Sequence, residues 1–295
     1  PLDSRNPFKA DRDKLSEIIQ TDKPELIVFG RSMYLFPQPI GLARQIIDSE
    51  GLGTIIMVDD AHTLGLYGLF HNPFPDAHFL TGSTHKSYFG TERGLIASGL
   101  SENHPLYKIW VHIKNRAFPG NLSNHHLGTL LGLLMATYEM NEFKDAYQRQ
   151  VVNNAKAFAR ALKVAGIQVE GEVDGFTETH QVVINIKQYG NGIEIAERLE
   201  KNNVITSYTT IPPYDKTFED PSGVRMGVQE MTRYGMKERD FEQLAVYVAD
   251  SIKGKNLKDE IRRFRTGFVQ MHYTIDPEKG APLAARLLDS IIPDK

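Results

Sequence analysis

Apolar residues in the first half of the chain follow two alternating periods. Short, nearly continuous apolar runs predict four strands, at residues 26–29, 54–58, 77–81 and 95–98. Helical spacing predicts helices at residues 11–20 and 39–50. Continuous apolar strands that alternate with helices are typical of an α/β layer with a parallel or mixed sheet.

The second half of the chain predicts a smaller α+β unit. A helical period persists over residues 127–164, as one long helix or two in sequence, and we expect it to bridge to a second domain. Beyond it the pattern predicts strands at residues 182–186 and 204–208 and helices at residues 192–201 and 236–253. We therefore expect two domains, residues 1–155 and residues 156–295.

Composition narrows the functional class. The 295 residues carry a formal charge of −3, which gives no electrostatic reason to expect nucleic acid or an anionic membrane as a partner. The absence of cysteine excludes disulfides, thiolate metal sites and a cysteine nucleophile, and is consistent with a cytoplasmic location. No metal site is expected, because the adjacent His125 and His126 would point about 100° apart on a helix.

Polar residues follow two of the predicted strands. Asp59, Asp60 and His62 come after the second strand, at the sheet edge where α/β proteins usually bind ligands, although a strand-terminal Asp is commonly structural. Lys86 stands in the sequence Thr81-Gly-Ser-Thr-His-Lys-Ser after the third strand. It is either a solvated loop charge or a lysine that forms a Schiff base with a carbonyl cofactor. A Walker phosphate loop is excluded, since His85 stands where that motif needs glycine.

Together these segments match the logic of pyridoxal phosphate (PLP) enzymes. In such enzymes a lysine holds the cofactor aldehyde, and a carboxylate keeps the pyridine nitrogen protonated so that the ring accepts electrons. A third element is Arg225, flanked by Gly223 and Gly227, which could grip a substrate carboxylate with two parallel hydrogen bonds. On its own, Arg225 would equally suit a surface position at a strand start.

Four ordered motifs resemble those of serine hydroxymethyltransferase, a fold-type I PLP enzyme. They are Asp-Asp-Ala-His at 59–62, Thr-His-Lys at 84–86, Phe-Pro-Gly at 118–120 and Gly-Val-Arg-Met-Gly at 223–227, within a similarity that runs from about Leu2 to Ile252. The resemblance implies part of the PLP-binding large domain, with a mixed, mostly parallel sheet, followed by a small α+β domain. It also implies a homodimer with active sites at the interface.

The resemblance implies a role for each matching residue. Lys86 would carry the cofactor, Asp59 would pair with its pyridine nitrogen, and His62 would lie beside the ring on its O3′ side. Arg225 would bind the substrate carboxylate. The other implied positions are Ser32 near cofactor and substrate, Ser83, Thr84 and His85 at the phosphate and the site floor, and Ser123 and Asn124 at the cofactor phosphate of the neighbouring subunit. His180 either faces the active site or is structural.

Departures from the hydroxymethyltransferase pattern point to a related branch. The chain has Ser207-Tyr-Thr-Thr before Ile211-Pro212 where the family has an Asn-rich, folate-binding segment, and Val228-Gln-Glu where it has Thr-Pro-Ala. These changes look more like the L-threonine transaldolases, which act on aldehydes without folate. We favour transaldolase chemistry on β-hydroxy-α-amino acids, with folate-dependent serine/glycine hydroxymethyl transfer as the alternative. An alternative of another class is a non-catalytic fragment or subunit.

The first residue also enters the resemblance. The chain begins at Pro1, which against the family lies within the cofactor domain, just before the strand that leads to Ser32. The resemblance therefore predicts that this chain corresponds to the C-terminal two-thirds of the family fold. We expect a companion N-terminal segment or chain to be needed for tight PLP binding.

Overall fold

The first sheet carries the cofactor motifs. The computed structural model describes residues 1–215 and 217–291, so residues 292–295 of the predicted second domain lie outside the described residues. The strands are β1 (Leu26–Phe29), β2 (Ile55–Asp59), β3 (Phe79–Ser83) and β4 (Gly94–Ser98), in that spatial order. Strands β1 to β3 are parallel and β4 is antiparallel, which confirms the prediction of a mixed, mostly parallel sheet.

Two helices cover one face of this sheet. They are α1 (Arg12–Asp22), whose first turn is capped by the Asp11 side chain, and α2 (Ile40–Ser49). Their apolar faces pack on the sheet in a cluster that contains Leu15, Ile19, Phe29, Ala43, Ile47, Ile56 and Val58. The opposite face is partly open, since Leu26 and Val28 of β1 expose 50% and 54% of their surface. Strands β1 and β2 are therefore stabilised by apolar packing on the face that α1 and α2 cover.

One long helix links the two parts of the chain. After α3 (Tyr107–Asn115), helix α4 runs without a break over 38 residues, Leu127–Val164. It therefore crosses the predicted domain boundary at residue 155, and the division into two domains stays a prediction. The first turns of α4 are exposed, whereas Val151, Phe158 and Leu162 are buried in the main hydrophobic core.

The second sheet is antiparallel and presents the arginine motif. Its strands are β5 (Gln168–Val169), β6 (Gln181–Asn185), β7 (Ser207–Thr209) and β8 (Gly223–Gly227), in the order β5-β6-β8-β7. The helices of this part are α5 (Gly192–Lys201), α6 (Gln229–Arg233), α7 (Glu238–Ile252), α8 (Lys258–Arg265) and α9 (Pro277–Ile291). Among the described residues, we find no helix with the length and apolar character that a membrane crossing requires.

Candidate active site

The two sheets meet at one polar cavity of about 360 Å³. Both halves of the chain line it: His62, His85 and Lys86 come from the first sheet, and His180, Gln181 and Arg225 come from the second. The first three residues follow the carboxyl ends of β2 and β3, where polar groups of a parallel sheet converge. The fold therefore brings the lysine and arginine motifs to one site, although 139 positions separate them in the chain (225 − 86).

Backbone contacts hold the turn that carries Lys86. The hydroxyl of Thr84 donates to the carbonyl of Thr91 at 2.6 Å, and Gly90 N–H donates to the carbonyl of Thr84 at 2.7 Å. Thr84 is buried, so these bonds are shielded from water and fix the turn after β3. The Thr84 hydroxyl proton is thereby committed to the protein backbone. Lys86 itself is half-buried and reaches the cavity.

The turn after β2 places Asp59 and His62. Oδ1 of Asp59 accepts a hydrogen bond from Ala61 N–H at 2.9 Å, which stabilises the first step of the turn. Gly30, directly after β1, allows the chain to approach Asp59 closely, because a Cβ at Gly30 would lie 2.7 Å from the Cβ of Asp59. Asp60 is fully buried and bonds His71 Nε2 at 2.7 Å instead of facing the cavity. Of the two adjacent aspartates, Asp59 is thus the one free for a ligand role.

Ser87 joins the two turns. Its buried hydroxyl donates to the His62 carbonyl at 2.6 Å and accepts from Gly65 N–H at 3.1 Å. A Cβ at Gly65 would lie 2.1 Å from the Ser87 carbonyl oxygen, so only glycine permits this approach. Helix α4 secures the same junction, since Tyr147 OH donates to the Ser87 carbonyl at 3.0 Å. The position of Lys86 relative to His62 is therefore set by short-range packing.

Gln181, at the start of β6, forms hydrogen bonds with three residues around the cavity. Its Oε1 accepts from Tyr34 N–H at 2.7 Å. Its Nε2 lies 3.1 Å from the Ser32 carbonyl and 3.1 Å from His62 Nδ1. The side chain is buried, and it connects the loop after β1, the turn after β2 and the second sheet.

Arg225 projects from β8 into the same cavity. Its Nη1 donates to the Ser32 carbonyl at 2.7 Å, so the loop after β1 also orients the guanidinium. Burial lowers the pKa of Arg225 from its usual value, although an arginine remains charged at any physiological pH. Its remaining N–H groups are suited to a carboxylate, which a planar guanidinium binds in a bidentate manner.

Two histidines of the cavity, His62 and His180, are neutral beside the charges of Lys86 and Arg225. Burial, and then the charges of Lys86 and Arg225, lower the pKa of His62 to about 4. Burial likewise lowers the pKa of His180 to about 3, with contributions from His62, Arg225 and Lys86. The two rings lie nearly parallel, with an interplanar angle of 17° and centroids 6.3 Å apart. At neutral pH both rings therefore act as hydrogen-bonding groups instead of cations.

The remaining predicted site residues lie at different depths. Ser32 takes part through its backbone carbonyl, while its side chain is exposed. Ser83 is half-buried at the end of β3, and His85 is exposed at the cavity rim. Ser123 and Asn124 are exposed in the segment before α4 and do not line this cavity. Their predicted role toward a neighbouring subunit stays a prediction.

Comparison with known proteins identifies the family. The sequence profile described as serine hydroxymethyltransferase matches residues 4–248 of the chain. The chain belongs to the serine hydroxymethyltransferase family. This confirms the resemblance carried by the four motifs, and with it a PLP-dependent transferase as the enzyme class of the family.

Individual members of this family match over most of the chain. The serine hydroxymethyltransferase of Archaeoglobus fulgidus is 39% identical over 91% of this chain and 61% of its own length. That of Pyrobaculum aerophilum is 37% identical over 95% of this chain and 64% of its own length. A solved structure of L-threonine transaldolase from Pseudomonas fluorescens, in its internal aldimine state, aligns with a TM-score of 0.81 and 30% identity. That alignment covers 96% of this chain and 65% of the other.

The residues of the cavity fit the cofactor of this family. PLP needs a primary amine for its aldehyde, which Lys86 presents to the cavity, and a carboxylate for its pyridine nitrogen. Asp59 does not line the cavity itself, but it ends β2 three residues before His62, which does. His180 Nδ1 is a buried polar atom without a hydrogen-bond partner among the described residues, as expected of a site built to receive a polar ligand. The donor set of the cavity is therefore consistent with PLP.

Proposed function

We propose that this chain carries out PLP-dependent cleavage and formation of the Cα–Cβ bond of β-hydroxy-α-amino acids. The observation that supports this most strongly is the shared cavity of Lys86 and Arg225, with neutral His62 and His180 between the two sheets. An amine that can hold the cofactor and a guanidinium that can bind a carboxylate are the two groups that a PLP enzyme needs for an α-amino-acid substrate. The chain spans less than two-thirds of the length of the Archaeoglobus and Pyrobaculum relatives. The activity we propose is therefore that of this chain together with any companion polypeptide.

Each side chain in the cavity has a distinct role in this proposal. When bound, PLP supplies an aldehyde that condenses with amines and a conjugated ring that accepts the electron pair released on bond cleavage. Lys86 would present the amine, and Asp59 would hold a proton at the pyridine nitrogen. Arg225 binds and orients the substrate carboxylate. His62 and His180, uncharged at neutral pH, can donate or accept hydrogen bonds without adding positive charge to the cavity.

We favour glycyl transfer from threonine to an aldehyde, the reaction of an L-threonine transaldolase. Two departures from the hydroxymethyltransferase pattern support this choice: Ser207-Tyr-Thr-Thr before Ile211, and Val228-Gln-Glu after the arginine motif. Ser207, Gln229 and Glu230 line the same cavity as Lys86, so both departures lie where an acceptor molecule would approach. The structural similarity to the Pseudomonas enzyme is in agreement with this proposal.

Hydroxymethyl transfer between serine and glycine with a folate-type carrier is the second candidate. Its support is the set of relatives that are 35–39% identical to this chain and carry the name serine hydroxymethyltransferase. Both reactions break and form the same Cα–Cβ bond, and they differ in the molecule that takes up or supplies the carbonyl unit. The acceptor therefore decides between them.

We further propose that a second polypeptide contacts this chain, either another copy in a homodimer or a companion N-terminal segment. Exposed apolar side chains support this, namely Leu26 and Val28 on β1 and Leu122, Leu127 and Leu130 around the start of α4. Ser123 and Asn124 stand in the same exposed stretch. A partner bound there would cover apolar surface and bring these two residues to its own site.

The cofactor assignment is tested by visible absorbance. Protein purified with all its chains and mixed with PLP should show the absorbance of a Schiff base, and Lys86→Ala should abolish it. Lys144→Ala is the matched control, because Lys144 is exposed on α4 outside the cavity. Absence of any such absorbance in the wild-type protein would rule out the PLP assignment.

The reaction is tested by the choice of acceptor. With PLP, L-threonine and an aromatic aldehyde, and without folate, we expect acetaldehyde release and a new β-hydroxy-α-amino acid. Turnover of L-serine to glycine only in the presence of tetrahydrofolate would support the second candidate instead. If neither reaction occurs in protein that shows the Lys86-dependent absorbance, the proposed function is wrong.

A further inference from the structure

Two backbone partners determine the orientation of the Gln181 amide. Tyr34 N–H can only donate, and it lies 2.7 Å from the amide oxygen of Gln181. The Ser32 carbonyl can only accept, and it lies 3.1 Å from the amide nitrogen. Reversing the amide would set its NH₂ group against the Tyr34 N–H and its oxygen against the Ser32 carbonyl, in a buried site. The NH₂ group must therefore face Ser32 and His62.

This orientation has a consequence for the ring of His62. The NH₂ group lies 3.1 Å from Nδ1 of His62, and an amide NH₂ only donates. Nδ1 must therefore be the unprotonated nitrogen, and the proton of the neutral ring resides on Nε2. We propose that Gln181 is a positioning residue that fixes His62 as the Nε2–H tautomer, so that this ring offers the cavity a hydrogen-bond donor.

The charged surroundings of His62 agree with a neutral ring. Lys86 faces it from the turn after β3 and Arg225 faces it from β8. Neutral His180 lies beside it, Asp59 precedes it in the chain, and Glu230 lines the same cavity. Protonation of Nδ1 would set an N–H group against the amide NH₂ of Gln181, in addition to two nearby cations. Gln181 thus selects the tautomer of the ring and also disfavours the imidazolium form.

Gln181 also connects His62 to the arginine. Gln181 Nε2 and Arg225 Nη1 both donate to the Ser32 carbonyl, at 3.1 Å and 2.7 Å. A single carbonyl on the loop after β1 therefore orients the group that would bind the substrate carboxylate and the group that fixes the histidine tautomer. This relation to the substrate rests on the proposed function, whereas the tautomer itself does not.

The tautomer can be measured directly by NMR. The wild-type protein is labelled with ¹⁵N-histidine, and His62 is assigned among the ten histidines by comparison with His62→Gln. A two-bond ¹H–¹⁵N correlation spectrum at pH 7 should show the Nε2–H pattern for His62. A wild-type ring that is protonated on Nδ1, or on both nitrogens, would overturn the proposal.

Two variants test whether Gln181 is the cause. Gln181→Glu keeps the shape and replaces the donor with an acceptor, so we expect the His62 proton to move to Nδ1 and the ring to titrate at higher pH than in the wild type. Gln181→Leu removes the donor, and we expect both tautomers to be populated. Gln188→Glu, at an exposed position, is the control for the added charge and should leave the His62 signals unchanged.

The outcomes separate this inference from the proposed function. If Gln181→Glu folds, as judged by circular dichroism, and its His62 signals match the wild type, Gln181 does not set the tautomer. If Gln181→Leu does not fold, the spectra of the wild type and of Gln181→Glu still show whether Gln181 sets the His62 tautomer. A protein with the expected tautomer but no Cα–Cβ chemistry would refute the proposed function and leave this inference intact.

Discussion

The guanidinium of Arg225 and the backbone carbonyl of Ser32 are joined by a hydrogen bond of 2.7 Å between Nη1 and O. Ser32 lies in the loop after β1 and Arg225 lies in β8, 193 positions apart in the chain. The bond uses one N–H of the arginine and leaves the others for a ligand. It also links the second sheet to the loop after β1 at the cavity wall. Arg225 is therefore oriented before any substrate arrives.

Replacing Arg225 with lysine should weaken substrate binding. Lysine keeps the charge but loses the fork that serves the Ser32 carbonyl and a carboxylate together. Loss of one charge-assisted hydrogen bond corresponds to a rise in KM for the amino acid of roughly 10- to 100-fold. Steady-state kinetics of Arg225→Lys measure this, with Arg149→Lys on the exposed face of α4 as the control. An unchanged KM with a reduced kcat would contradict the assigned role.

Buried His180 should make the folded protein sensitive to acid. Its pKa is about 3 in the folded state, against a usual value of 6.5, so the unfolded chain binds the additional proton as the pH falls. The stability that His180 contributes is thus fully present above pH 6.5 and is lost progressively below it. Urea unfolding at pH 7, 6 and 5 should show a smaller decline in unfolding free energy for His180→Gln than for the wild type.

A histidine at the surface provides the comparison for that experiment. His126 is exposed before α4, so His126→Gln should follow the wild-type pH dependence. His62 and His78, whose pKa values are also lowered to about 4, remain in both variants and contribute the same background. Equal pH slopes for His180→Gln and the wild type would show that His180 is not buried in its neutral form.

The Ser87 hydroxyl should contribute measurably to stability. Ser87→Ala leaves the His62 carbonyl and the Gly65 N–H without their buried partner. An unsatisfied buried group costs about 1–3 kcal/mol of unfolding free energy. Urea unfolding gives the value directly, and Ser101→Ala, at an exposed position, should have little effect. A loss no larger than that of the control would mean that water replaces the hydroxyl.

Gly65 should tolerate no side chain at all. A Cβ there would lie 2.1 Å from backbone atoms of Ser87, so Gly65→Ala must push the two turns of the cavity apart. We expect a loss of roughly 3 kcal/mol, at the upper end of the range for overpacking. Gly53→Ala is the matched control, because nothing lies within 4 Å of its Cβ position. Similar unfolding midpoints for the two variants would refute the close approach.

Local periodicity made much of the fold predictable from the sequence. The strand at Leu26–Phe29, the helix at Gly192–Lys201 and the continuous helix over Leu127–Val164 have the bounds that the apolar pattern predicts. Strand β5 and helix α3 gave no such signal, since β5 has only two residues and α3 has none that is buried. Short or surface-exposed elements lack the burial that imposes a period on the sequence.

The candidate site was predictable only where chemistry is local. Lys86, Asp59, His62 and Arg225 stand in recognisable motifs, whereas Gln181 follows His180 at the start of an ordinary apolar strand. Its importance comes from contacts with Tyr34 and His62 that span 147 and 119 positions. Ser87 has no recognisable signal in the sequence either, since a hydroxyl that bonds backbone groups belongs to no motif. Long-range geometry, and not residue type, defines these two positions.

Helix α4 holds two distant parts of the fold through two buried polar side chains. Gln148 binds the carbonyl of Gly65 beside the lysine turn, and Asn154 binds Met236 and Thr232 just beyond the arginine strand. The two anchors are six residues apart, which corresponds to about 9 Å along the helix axis. Inserting one residue between these anchors would turn one of them by about 100° and detach it. The register of this helical segment therefore couples the segment around Gly65 to the segment around Thr232, and a change in its length would disturb both.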